Sequence, residues 1–141
     1  MADIPPIATL VERYWEFEAI SGFNRLRIEA LLKDLLSLPE RGAAWVAENN
    51  GRVCGYLMAA YIYSVEYGGL MAEIDEFFVL PDTRSAGIGS SLLAAAQRDM
   101  AARGITRLQL QLGVDNQRGR EFYQRQGFRR RERYELFDKS L

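Results

Sequence analysis

The stretch LPDTRSAGIGSSLL, residues 80–93, places two glycines two apart where an extended run gives way to helical spacing. Gly87 and Gly89 each cost backbone entropy at a helix entrance and supply no side chain to pack. The chemical reason to tolerate that cost is the close approach of an anion to the backbone. A P-loop needs GxxxxGK[ST], and no Lys-Ser/Thr pair follows these glycines. A dinucleotide fingerprint needs a third glycine, where Leu92 stands, and an acid ending the next strand, which runs instead into Leu112-Gly113. What remains is Arg-x-x-Gly-x-Gly, Arg84 to Gly89. Backbone N–H groups there, with a helix dipole behind them, suit a pyrophosphate. A tight strand-to-helix turn is the alternative reading of the same glycines.

Around this stretch the apolar period sets the element order. Residues 4–19 read as a helix with Pro5 and Pro6 in its first turn and Ile7, Leu10, Val11, Tyr14 and Trp15 at helical spacing. A second helix spans 24–37, carried by Leu26, Ile28, Leu31, Leu32, Leu35 and Leu36 and stopped before Pro39. AAWVAE and RVCGYLMAAYIYSV flank the turn Asn49-Asn50-Gly51 as a hairpin. AEIDEFFVL is a third strand, 88–103 a helix, and TRLQLQL a half-exposed strand with Leu108, Leu110 and Leu112 on one face. A helix over 115–126, capped by Asp115 or Asn116, stops at Gly127, and FRRRERYELFDK predicts one or two closing strands. The order ααβββαβαβ predicts a single domain, 1–141, with a mixed α/β sheet flanked by helices.

Composition narrows the function. The chain has 141 residues, 48% apolar and 26% charged, as a soluble globular domain does. No apolar run approaches the roughly 20 residues of a membrane span, and the N-terminus lacks a signal-peptide pattern. A cytoplasmic protein is expected, with no membrane partner. The single cysteine, Cys54, sits inside a strand and reads as a buried structural thiol. There is no histidine, which removes the commonest general base and metal ligand together, so no metal site is expected. Residues 1–80 carry six basic against twelve acidic side chains, and residues 81–141 twelve against seven. That split fits a polyanion on one part and a cationic partner on the other.

A second motif, DNQRGREFYQRQGF at 115–128, puts Asn116, Gly119 and Tyr123 at i, i+3 and i+7, one face of a helix, with Phe122 pointing to the core. Together, VLPDTRSAGIGSSLL and NQRGREFYQRQGF resemble the two signature motifs of the GNAT superfamily of acyl-CoA-dependent N-acyltransferases. The resemblance covers essentially the whole chain. It implies a mostly antiparallel GNAT-like sheet and bound acetyl-CoA as co-substrate. The pyrophosphate would lie on the backbone of Arg84, Ser85, Ala86, Gly87, Ile88, Gly89 and Ser90. The pantetheine arm would bond like a strand to Phe77, Phe78 and Val79, with Asn116 and Gly119 also at the cofactor. Tyr123 would protonate the leaving thiolate. Ser85 stands where many members carry Gly, and Gly119 where most carry Ala. Members usually open with a strand before an acid placed like Asp3, so the first strand is expected to be missing or truncated, leaving an edge that a second copy could cover as a homodimer.

The resemblance also implies acetyl transfer to an amine by direct attack, with a carboxylate or water as base. Glu73, Asp75 and Glu76 crowd the third strand; alternation puts Glu73 and Asp75 on the face of Phe77 and Val79, and Glu76 on the other. Glu73 is spaced from Gly87 like the base of histone-acetylating members, and IDEFFV resembles the acidic pair of diamine acetyltransferases. The base stays open among the three. Glu18, Phe23, Glu66 and Tyr67 are the expected acceptor contacts, suiting a small cationic amine. Two other readings compete: a non-catalytic acyl-CoA-binding regulatory domain, and nucleic-acid binding through FRRRERY. Strict alternation explains the latter run more simply, so no nucleic-acid partner is expected.

Overall fold

The computed structural model describes residues 2–141, apart from the side chains of Ser85 and Ala86. Residues 1–111 and 112–141 form two compact units. In the first unit, α1 (Ile4–Phe17) opens on the two prolines, whose missing N–H groups have no helical acceptor to lose. Helix α2 (Arg25–Ser37) is capped by Asn24, whose side chain accepts from the Arg27 N–H at 3.0 Å. Arg25 fastens the two helices: its guanidinium donates to the Pro5 carbonyl and Thr9 hydroxyl at 3.1 Å and pairs with Glu29 at 3.0 Å.

Strands β1 (Gly42–Asn49), β2 (Arg52–Ser64) and β3 (Gly69–Val79) form an antiparallel meander. Asn50 and Gly51, both left-handed (φ 53° and 74°), make the first turn. Strand β4 (Leu108–Leu110) runs parallel to β3 beside Ala72–Ile74, giving the order β1-β2-β3-β4. Alternation along β2 divides the core. Cys54, Tyr56 and Met58 face α1 and α2, where Ile7, Ala8, Leu10, Val11, Ile28 and Leu32 are buried with them. Cys54 is fully buried, its Sγ 3.5 Å from the Ala47 carbonyl. The other face takes α3 (Ile88–Ala102), which buries Leu92, Leu93, Ala96 and Met100. Trp45, opposite in parity to Ala44 and Val46, donates from Nε1 to Asp99 of α3 at 2.7 Å.

In the second unit, α4 (Gln117–Arg125) starts at Asn116, whose side chain accepts from the Gly119 N–H at 2.8 Å. Tyr123 packs edge-on against Phe122 and Phe128, with centroids 5.3 and 5.4 Å away. Phe122 is half-buried, where a core position was expected. The closing strands expected in FRRRERYELFDK do not form: residues 128–141 hold no strand. A turn in which the Tyr134 N–H donates to the Arg131 carbonyl at 3.4 Å interrupts the run. Alternation specifies a face, but only a partner strand makes it a ladder.

A methyl group at Gly42 would collide with the Ala59 carbonyl oxygen and press on Leu35 of α2. Gly42→Ala is therefore expected to cost about 2 kcal/mol, an overpacking penalty. Urea denaturation should show a lowered midpoint with an unchanged slope.

Candidate active site

The register of β2 against β3 slips by one residue. Met58 pairs with Glu76 but Ala59 pairs with Ile74, so Asp75 is an extra residue on β3, a bulge. Strict alternation would send consecutive acids to opposite faces. The bulge instead brings Asp75 and Glu76 into one cavity of about 480 Å³ beneath α1 and α2. This corrects the face assignment expected from the sequence. Trp15 and Val11 of α1, the Ser21-Gly22 loop, Met58 of β2, and Arg27, Leu31 and Leu35 of α2 form much of the remaining wall. Leu31 is 53% exposed because it faces this open cavity instead of the core.

Glu76 is held at both oxygens. Trp15 Nε1 donates to Oε2 at 2.7 Å, and the Tyr56 hydroxyl donates to Oε1 at 2.9 Å. Phe23 supports Trp15 edge-on, with ring centroids 6.1 Å apart. Loss of hydration pushes the Glu76 carboxyl above its ordinary 4.5; the two donors pull it back, and the charge of Asp75 raises it further. Asp75 is raised as well, first by loss of hydration and then by Glu73. Burial and then the Glu76 charge raise Tyr56, which keeps its proton and stays a donor. Tyr14 is raised by burial, then by Glu18, Glu76 and Asp75. The result is a fixed carboxylate of increased basicity beside a second, exposed one. Such a pair can bind an ammonium group and take a proton from it.

Beyond the bulge, β3 continues from Glu76 to Val79, while β4 pairs no further than Ile74. A 3-10 turn, Pro81–Ala86, leads to Gly87, which enters α3 in the left-handed conformation (φ 72°). The N-cap of α3, Gly87, has no side chain with which to cap it, and the direction a Cβ would take from Gly87 is open space. An extended, slender ligand ending in a pyrophosphate fits these features: strand-like backbone along Phe77–Val79, then an uncapped helix N-terminus. Arg84 bonds back to the end of β3. Its Nε donates to the Val79 carbonyl at 2.8 Å, and its guanidinium lies 5.0 Å from the Phe17 ring and 5.5 Å from that of Phe78.

The structure thus brings two of the candidate bases, Asp75 and Glu76, together and leaves the third, Glu73, and the expected acceptor contacts outside the cavity wall. Glu73 accepts instead from Gln111 Nε2 at 3.1 Å, beside β4. Glu66 and Tyr67 lie in the β2–β3 turn, before the start of β3 at Gly69, which is seven residues from Glu76, roughly 23 Å at about 3.3 Å per strand residue. Tyr67 there lies under Arg107, 4.1 Å from its guanidinium. Glu18 caps the end of α1 by its backbone, and Phe23 acts through Trp15. The side chains of Ser85 and Ala86 lie outside the described residues. Sequence reasoning missed Trp15, Tyr56 and Arg27. An indole N–H near the end of an amphipathic helix was the one available signal, since a half-buried Trp needs an acceptor.

Comparison with known proteins gives a consistent result. The profile of the Acetyltransferase (GNAT) family matches residues 6–128. An uncharacterised N-acetyltransferase of Methanocaldococcus jannaschii is 34% identical over 124 residues, 82% of this chain and 54% of the relative. The chain therefore spans about half the length of that protein. A second uncharacterised N-acetyltransferase, from Archaeoglobus fulgidus, is 32% identical over 127 residues, covering 89% of this chain and 86% of its own. An aminoglycoside N-acetyltransferase solved in complex with CoA shares the fold, with a TM-score of 0.84 at 21% identity over 99% of this chain and 90% of that one.

Tyr56→Phe removes one of the two donors that hold Glu76 down. The Glu76 carboxyl should then titrate at a higher pH than in the unaltered protein, which carbon-detected NMR of the labelled carboxyl measures directly. An unchanged midpoint would mean that the hydroxyl does not bear on that charge.

Proposed function

The chain belongs to the Acetyltransferase (GNAT) family, and from that premise we propose that residues 1–141 act as one domain transferring an acetyl group from acetyl-CoA to a small primary amine. The observation that carries the reading is the pairing of Asp75 and Glu76, by the β3 bulge, in one cavity at the strand whose far end faces the α3 N-terminus. Acetyl-CoA supplies the acyl electrophile and the leaving thiolate. Its pyrophosphate is assigned to the N–H groups entering α3 from Gly87, and its arm to the backbone of Phe77–Val79.

The acceptor enters as a cation, drawn by the two carboxylates. Glu76 is assigned as base: Trp15 and Tyr56 each donate one hydrogen bond to its oxygens, leaving a lone pair fixed in direction for the amine proton. Asp75, exposed at the cavity, passes that proton to solvent. Tyr123 keeps a proton on its phenol oxygen for the leaving sulfur, a role resting on the resemblance of its motif. Asn116 and Gly119 are assigned to the cofactor on the same ground, although in the structure the Asn116 side chain caps α4.

Three measurements test this reading. Thiol release from acetyl-CoA with a panel of primary amines should rise with pH through a limb above 4.5, because Glu76 works as the carboxylate and burial raises its pKa. Glu76→Gln should lower kcat/KM by about 100-fold or more and abolish that limb, the usual worth of a positioned base. Tyr123→Phe should lower kcat about tenfold while leaving acetyl-CoA affinity in place. Acetyl-CoA binding without turnover of any amine would point instead to a binding domain.

A further inference from the structure

The cavity holds a basic group that the transfer chemistry does not use. Arg27 stands in the first turn of α2 and lines the same cavity as Asp75 and Glu76. Its guanidinium has no ion pair or hydrogen bond among the described residues; only its backbone N–H is engaged, by Asn24. Three and four positions along its helix stand Ala30 and Leu31, neither of which can answer the charge. Neighbouring cations differ. Arg25 pairs with Glu29 at 3.0 Å, and Arg41, also at the cavity, pairs with Asp34 at 2.7 Å. Much of the remaining wall is apolar, including Ile28, Leu31, Leu32 and Met58.

Resting on the reading of this cavity as the acceptor site, we propose that the acceptor is an amino acid with an apolar body. Its amine meets Asp75 and Glu76, and its carboxylate meets Arg27. A guanidinium offers a planar fork of donors that matches a carboxylate in two parallel hydrogen bonds. The apolar wall accepts the carbon between or beside the two charged ends. A diamine fits poorly, because its second cation would share the cavity with unanswered Arg27, and like charges there select against it. Arg27 is therefore a specificity-determining residue, separate from the groups that move protons.

The test uses matched acceptors with the full chain and acetyl-CoA. Leucine is compared with isopentylamine, 6-aminohexanoate with pentylamine, and both pairs with 1,6-diaminohexane. At least one amino acid should exceed its decarboxylated counterpart about tenfold in kcat/KM, with the diamine poorest. Arg27→Gln should reduce that ratio about tenfold, and Arg27→Lys should recover part of it, which a merely structural effect on turnover would not do. Calorimetric titration of the same pairs, without acetyl-CoA, should show the same order of affinity. Preference for a plain amine or the diamine, or a ratio indifferent to Arg27→Gln, would overturn the inference while leaving N-acetyl transfer intact. Turnover of none of these acceptors, with acetyl-CoA bound, would overturn both.

Discussion

One extra residue in β3 governs the acidic side of the sheet. A carboxylate cannot leave water without donors to replace its hydration, and two adjacent carboxylates cannot share a cavity on a regular strand. The bulge at Asp75 removes the second obstacle by shifting the face of everything before it relative to Glu76. Trp15 and the Tyr56 hydroxyl remove the first. Those donors impose their own conditions. Tyr56 sits in the middle of β2 with no exposed surface, and Trp15 must be held over the sheet by α1 and braced by Phe23. Stability and reactivity are therefore set by the same contacts, since the burial that raises the Glu76 carboxyl also packs α1 onto β2.

The far end of β3 serves a different chemistry with the same economy. Past the β4 pairing, which ends at Ile74, the strand runs on to Val79 and leads through a short 3-10 turn into a helix whose N-cap, Gly87, has no side chain to cap it. Gly87 adopts the left-handed conformation there, and its lack of a Cβ leaves the approach open. Arg84 stacks near Phe17 and Phe78 and donates to the Val79 carbonyl. It thereby ties the end of α1 to the turn before α3. The acid-bearing cavity and the α3 entrance thus share one strand.

Much of this was legible in the sequence. The helical spacing of Ile7, Leu10 and Val11, the turn at Asn50-Gly51 and the glycines entering α3 each state a local preference that the fold respects. Three features were hidden for physical reasons. A bulge carries no composition signal of its own, so Asp75 and Glu76 read as opposite faces of a strand. Leu31 and Leu35 read as core because an apolar cavity wall and a packed core use the same residues. The alternation in residues 128–134 predicts a face, while the turn from Arg131 to Tyr134 interrupts the run. Arg27 gave no signal, because an arginine on a helix surface is ordinary until its neighbours prove unable to answer it.

The most direct measurement is a calorimetric titration of the protein with acetyl-CoA, set beside free CoA, ATP and NAD. The account predicts micromolar binding of acetyl-CoA and CoA, with ATP and NAD much weaker, and loss of CoA affinity in Gly87→Val, whose side chain would strain the left-handed turn and crowd the approach to α3. A folded protein that binds none of them, or that binds CoA equally well with valine at position 87, would contradict the assignment of the α3 entrance.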